Sequence, residues 1–289
     1  MNTKLYILGN GFDLMHGIPS SYSDFARFCK QKKETLYFLI NKEFPKLCKA
    51  PDILWSNFEE ALGTPDYDFM LKEAKRNDIG KIENMEKPLG VDYYKLCDMM
   101  AKWIESLSKS IKATKVSPQV YFDKEYSFFL TFNYTNTLEE VYGISSDKCC
   151  HIHERYDKTR PVGFVGYNWG HSKGDNEIST DLKSSGYEAS DVIPHEFKET
   201  VKYFGKRYDD GNRKLEFWME SIPKQVSDII VMGHSMEEVD YPYFKRICET
   251  YPSAQWHIFY FNQNDLNRKR KVVVDLEIAD RVELLGTAK

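Results

Sequence analysis

None of the six cysteines, Cys29, Cys48, Cys97, Cys149, Cys150 and Cys248, forms a Cys-x-x-Cys pair. The spacing of a structural zinc site is therefore missing. Cys149 and Cys150 are chain neighbours and cannot readily bridge each other. No apolar stretch approaches the roughly 20 residues that a membrane-spanning helix requires. The opening MNTKLYILG has one lysine and too short an apolar run for a secretory leader. Charge of one sign is also scarce: 40 Lys and Arg against 44 Asp and Glu leave a net charge of -4, so neither nucleic acid nor membrane is an expected partner. Repeats and low-complexity tracts are absent. These gaps describe a reduced, cytoplasmic protein with no metal site.

What remains is ordinary globular sequence. The 289 residues are 42% apolar, enough for one core without staples, and a single domain over 1–289 is expected. Nineteen Tyr and eighteen Phe serve either a bulky core or stacking surfaces. Short apolar runs predict strands at 4–8, 126–132, 150–153, 162–167, 228–232, 255–261 and 281–285. Helices are predicted from a Ser20 or Ser21 cap with Asp24 in the first turn, then over 35–44, 55–62, 66–76, 93–111, 196–208, 213–221, 241–251 and 265–280. Polar stretches at 77–90 and 168–189 read as loops. Strands alternating with helices predict an α/β fold: a Rossmann-like, mostly parallel sheet with helices on both faces. A helical insertion over about 20–115 follows the first strand.

In such a sheet, ligands bind beyond the carboxyl ends of the strands, and the polar residues of interest fall there. YILGNGFDLMHGIP is either a tight strand-to-helix turn or a glycine loop whose amides cradle a phosphate. It lacks the GxGxxG spacing. Asp13 within it must point away from any phosphate, because a carboxylate ~5 Å from that charge costs roughly 3 kcal/mol at an effective dielectric of ~20. In LTFNYTNTLE, Asn133 follows the strand and Thr135 or Thr137 caps a helix. In CHIHE, alternation sets His151 and His153 on one strand face. With only Asp157 or His171 as further ligands, one His is expected to pack and the other to line a cleft. In IIVMGHSMEEVDYPYF, Gly233, His234 and Ser235 form a tight turn with Asp240 beyond it. Asn262 ends a later strand. Each stretch alone reads equally well as turn and cap chemistry; together they would line one crevice.

LGNGFDLMHGIPSSYSDF, LWSNFEEALG, TFNYTNTLEEVY, HIHE and IVMGHSMEEVDYPYF together resemble the AbiH family, proteins linked to bacterial abortive infection. A more distant resemblance, to sirtuin-like NAD-binding domains, rests on Gly9-Asn10-Gly11-Phe12-Asp13 with Gly17-Ile18-Pro19, on Thr131-Phe132-Asn133-Tyr134, on His153, on Gly233-His234-Ser235 and on Asn262. It implies NAD as substrate or ligand. Asn133 would position ribose and water, His153 would act as base, and Asp13 is the third catalytic candidate. Gly9, Asn10, Gly11, Phe12, Gly233, His234, Ser235, Asp240 and Asn262 would bind the nucleotide. Glu154 stands where the sirtuin motif has glycine, Asp13 stands for a serine, and the four-cysteine module is absent, all of which points away from protein deacylation.

Two further readings stay open. One is a non-catalytic nucleotide-binding or signal-sensing module. The other is a protein acting on nucleic acid, supported only by NRKRK at 267–271, which reads more simply as a solvated helix face. Glu59 is another carboxylate able to face a developing positive charge, while its neighbours Trp55 and Phe58 read as core. A phage-derived trigger is the expected partner, and a homo-oligomer is compatible with the sequence.

Overall fold

The computed structural model describes residues 2–48, 58–62, 66, 69, 93–153 and 208–287. The chain divides into two compact units, one gathering 1–20, 104–157 and 208–289, the other 21–103 and 158–207. The strands are β1 (Lys4–Leu8), β2 (Ser127–Thr131), β3 (Cys149–His151), β4 (Asp228–Met232), β5 (Gln255–Tyr260) and β6 (Val282–Gly286). The helices are α1 (Asn10–Met15), α2 (Tyr22–Lys32), α3 (Glu34–Glu43), α4 (Phe58–Leu62), α5 (Tyr93–Ala113), α6 (Thr137–Tyr142), α7 (Tyr208–Glu220), α8 (Tyr241–Thr250) and α9 (Gln263–Asp275).

The strands of the first unit form one sheet, ordered β3-β2-β1-β4-β5-β6, and every pairing is parallel. A parallel sheet covered on both faces needs nearly continuous apolar strands, and these provide them. Leu5, Ile7, Ile229, Val231, Trp256 and Ile258 are fully buried in one cluster with Leu215 of α7, Phe244 and Ile247 of α8 and Val272 of α9. The alternate residues Tyr6, Leu8 and Phe129 pack with Phe12 of α1, Phe122, and Leu138 and Tyr142 of α6. Burying one such side chain is worth roughly 1.5–3 kcal/mol, so these layers, more than any polar contact, fix the strand order. The fold is α/β and Rossmann-like, as its alternating pattern predicts.

The register aligns the strand ends. Leu8 pairs with Thr131 on one side and Met232 on the other, and Thr131 pairs with His151. The ladder runs one step further through Gly9 N–H to Met232 O (3.1 Å), Phe132 N–H to Leu8 O (2.9 Å) and Ile152 N–H to Thr131 O (3.0 Å). Asn10, Asn133, His153 and His234 therefore follow at one level. The strand order reverses between β1 and β4, which makes their carboxyl ends the topological switch point.

The stretch after β1 is a tight strand-to-helix turn, one of its two readings, with α1 starting at Asn10. Two local expectations change. The cap of α6 is Asn136, and neither Thr135 nor Thr137 fills that role, because both hydroxyls bond elsewhere. Helix α9 stops at Asp275, five residues early, where Glu277 takes a left-handed φ of 55°.

In the second unit, Ser21 and Asp24 form a reciprocal capping box on α2. Phe25 packs against Phe58 and Trp103, with ring centroids at 5.8 and 5.2 Å. Phe58 is thus core, as expected, and Tyr22 donates to Glu59 Oε1 at 2.7 Å. Trp55, Glu154, Asp157, His171, the strand at 162–167 and the loops at 77–90 and 168–189 lie outside the described residues. Among the described residues no helix is long and apolar enough to cross a membrane.

Candidate functional site

The glycines after β1 and β4 meet backbone to backbone. A Cβ on Gly9 would sit 2.6 Å from His234 Cα, and one on Gly11 would sit 2.7 Å from Gly233 Cα. Gly11 N–H donates to Gly233 O at 2.8 Å, and Phe12 N–H to Gly9 O at 2.9 Å. The amides of Gly9, Gly11 and Phe12 are thus engaged with protein carbonyls. The glycines let two turns pack together, and the phosphate-cradle expectation gains no support from these three amides. Asn10 Oδ1 accepts from the Ser20 hydroxyl at 2.6 Å.

Asp13 turns inward from this contact and is fully buried. Its Oδ2 accepts from Thr135 Oγ1 at 2.5 Å, and Thr137 Oγ1 bonds Thr135 Oγ1 at 3.1 Å. The Asn133 side chain also approaches the carboxyl. Asp13 Oδ1 and Asn133 Oδ1 are both buried and meet no donor. Burial pushes the Asp13 pKa up, against the lowering influence of Thr135, Thr137, His16 and Asn133.

That direction predicts a pH dependence of stability. With its folded pKa above the unfolded value near 3.8, Asp13 binds a proton more tightly in the folded state. Its contribution is fully present below the unfolded pKa and is lost as pH rises through the folded one. Asp13→Asn is neutral throughout, so its melting temperature relative to wild type is expected to rise from pH 4 to pH 8. Thermal unfolding across that range checks the sign. A gap that stays flat or closes would show the carboxyl to be no harder to ionise folded than unfolded.

His153, just past β3, is buried, with its ring 5.6 Å from Phe132 and stacked 5.5 Å from Tyr134. His151 is held differently, by Glu139 Oε1 at 2.9 Å and Asn133 O at 3.2 Å. It packs, as one of the pair was expected to do. His234 Nδ1 accepts from Met236 N–H at 2.8 Å, which fixes the proton on Nε2, 3.5 Å from Asp240 Oδ2. Asp240 in turn lies within 4.8 Å of His153, carboxylate oxygen to ring nitrogen. Met236 takes a left-handed φ of 56° while fully buried, strain of the kind that gathers at functional turns.

The sequence model of one protein family, Bacteriophage abortive infection AbiH, matches residues 5–260. The chain belongs to the AbiH family. A search of curated proteins returned no match. Membership ties the chain to abortive infection, a defence against phage; the match spans every element that contributes to the cluster.

Within this AbiH fold, Gly9, Gly11, Asp13, Asn133, His153, Gly233, His234 and Asp240 come together at the carboxyl edge. Other candidates stand differently. Phe12 is 1% exposed and its ring is core. Ser235 is exposed. Asn262 is exposed and caps α9, its Oδ1 accepting from Asp265 N–H at 2.9 Å. The basic run on α9 is a solvated helix face at Asn267, Arg268, Arg270 and Lys271, with Lys269 alone turned inward. Arg268 pairs with Glu237 and Asp265 at 2.7 Å, Lys271 with Glu238 at 3.4 Å, and Lys269 is buried against Asp265 and Phe259 O. Ion pairing to the turn after β4 leaves little positive charge there for nucleic acid. A cavity of about 330 Å³ over β1, β4, β5 and β6 is lined by Lys4, Tyr6, Ile230, Met232, His257 and Phe259; none of the clustered residues lines it. Sequence reading missed Thr135 as the partner of Asp13 and Tyr134 as the partner of His153, although both lie in the quoted TFNYTNTLE.

Proposed function

We propose that this AbiH protein binds NAD at the carboxyl edge of β1, β2 and β4 and hydrolyses it to nicotinamide and ADP-ribose during phage defence. The observation that carries the reading is Asn133 Oδ1. It is buried, meets no donor and follows β2, the strand beside the switch point, level with His153 in the register. An unsatisfied buried acceptor calls for a partner, and a ribose hydroxyl is a donor of the right kind. The sirtuin-like resemblance supports the same pairing of Asn133 with His153.

The chemistry suits these groups. The nicotinamide–ribose bond breaks with its electron pair leaving on neutral nicotinamide. The ribose carbon becomes oxocarbenium-like and water adds to it, its proton passing to His153. Asn133 orients the hydroxyl or water without adding charge, and such prepositioning can supply up to ~7–11 kcal/mol. Imidazole, with a reference pKa of ~6.5, exchanges protons near neutrality. Asn133 is 6% exposed and His153 2%, so a ligand enters only when the site opens. A closed resting site fits a defence protein that stays silent until infection supplies a trigger.

The test is purified protein incubated with NAD, alone and with phage lysate, followed by nicotinamide detection and by calorimetry with NAD and ADP-ribose. Nicotinamide release in either condition is the expected result. Binding without release would assign a nucleotide-sensing module instead, and neither binding nor release would overturn the reading.

A further inference from the structure

We propose that Asp13 is a positioning residue, locked by Thr135, which turns the Asn133 carboxamide so that its oxygen faces the ligand. This rests on the reading of Asn133 as the residue that meets a sugar hydroxyl. Four side chains make the arrangement, and all are buried: Asp13 0%, Thr137 2%, Thr135 5% and Asn133 6% exposed. The Asp13 carboxyl already has one oxygen taken by the Thr135 hydroxyl. It acts on its neighbours.

Thr135 Oγ1 holds one carboxyl oxygen at 2.5 Å, and Thr137 backs Thr135 at 3.1 Å. The other oxygen, Asp13 Oδ1, meets no donor, and neither does Asn133 Oδ1. Two buried acceptors without donors, in side chains that approach each other, have a simple solution. A carboxamide carries two donors on Nδ2 and an acceptor on Oδ1, and which end points where is decided by the hydrogen-bond network. With Nδ2 turned to Asp13, the carboxyl gains its missing donor. The amide oxygen is then the single acceptor left over, held rigidly for a hydroxyl. With the amide reversed and the carboxyl ionised, two acceptor oxygens would face each other, which is costly at this burial.

The prediction separates from NAD turnover because the amide can be watched without any ligand. In full-length 15N-labelled protein, the Asn133 side-chain NH2 signals are identified by their loss in Asn133→Ala. Their hydrogen exchange is expected to be slow in wild type and to speed up about tenfold or more in Asp13→Leu and in Thr135→Val, the ratio for losing one hydrogen bond. Thr135→Ser restores the hydroxyl and should recover most of the protection, which loosened packing alone would not do. In nicotinamide release, Thr135→Val should lower kcat with little change in KM. Unchanged exchange in both variants, or equal loss in Thr135→Ser, overturns the positioning role. Should Asp13→Leu fail to fold, the Thr135 pair decides. Protected exchange with no nicotinamide release from wild type would sink the NAD reading and leave this one standing.

Discussion

His153→Ala and Asn133→Ala are each expected to lower nicotinamide release by about 10²–10⁴-fold, the range that a positioned acid–base group contributes, while backbone spectra stay native. The two should not add. If one residue activates water and the other holds it, the double variant will be about as slow as the worse single one, because either loss dismantles the same step. The geometry gives each change a different structural cost. His153 packs against Phe132 and Tyr134, so its removal opens a cavity, and a melting curve must accompany the rate. Asn133→Ala also takes away the amide proposed as donor to Asp13 Oδ1, which has no other, so its rate too is read beside a melting curve. His151→Ala is the contrast. It breaks contacts to Glu139 and Asn133 O and should cost stability with a smaller effect on turnover per folded molecule. Rates within about threefold of wild type for both His153→Ala and Asn133→Ala would remove the site from the chemistry.

The sheet was readable because its signals are local. Leu8, Met232 and Thr131 each close an apolar run and are followed within two residues by Gly or Asn, and the register then puts those breaks at one level. The same local view could not say what Gly11 touches. Its neighbour Gly233 is remote in sequence, and only the β1–β4 pairing brings them together. Sequence therefore offered a turn or a phosphate cradle on equal terms, and backbone crowding decided for the turn. Thr135 fails in the opposite direction. Its position before a helix predicts a cap, but its hydroxyl turns to the buried Asp13 carboxyl and accepts from Thr137 instead. Asn262 shows the reverse outcome. A strand-end asparagine reads equally as ligand contact or cap, and with Asp265 three residues on, it caps. NRKRK looked uniform in sequence, yet the helix turns Lys269 inward and Arg268 toward Glu237, and periodicity alone does not name the acids across the gap.

Gly233→Ala is expected to destabilise the fold by roughly 2–5 kcal/mol, although only one methyl group is added. Gly233 holds a φ of 64°, where an L residue pays about 1–2 kcal/mol. The new Cβ would also lie against Phe12 N and 2.6 Å from Gly11 C. Both are backbone, so neither can swing aside as a side chain would. Relief requires the turn after β4 to retreat from α1, which strains Gly11 N–H to Gly233 O and Gly9 N–H to Met232 O, bonds worth about 0.5–1.5 kcal/mol each. Gly17→Ala separates the two contributions. Its φ is 71°, but a Cβ there meets nothing within 4 Å, so it should show the conformational cost alone. Urea unfolding of both variants reads the difference directly. Equal losses would mean that the turns after β1 and β4 do not meet backbone to backbone, and the alignment that brings Asn133, His153 and Asp240 to one edge would lose its anchor.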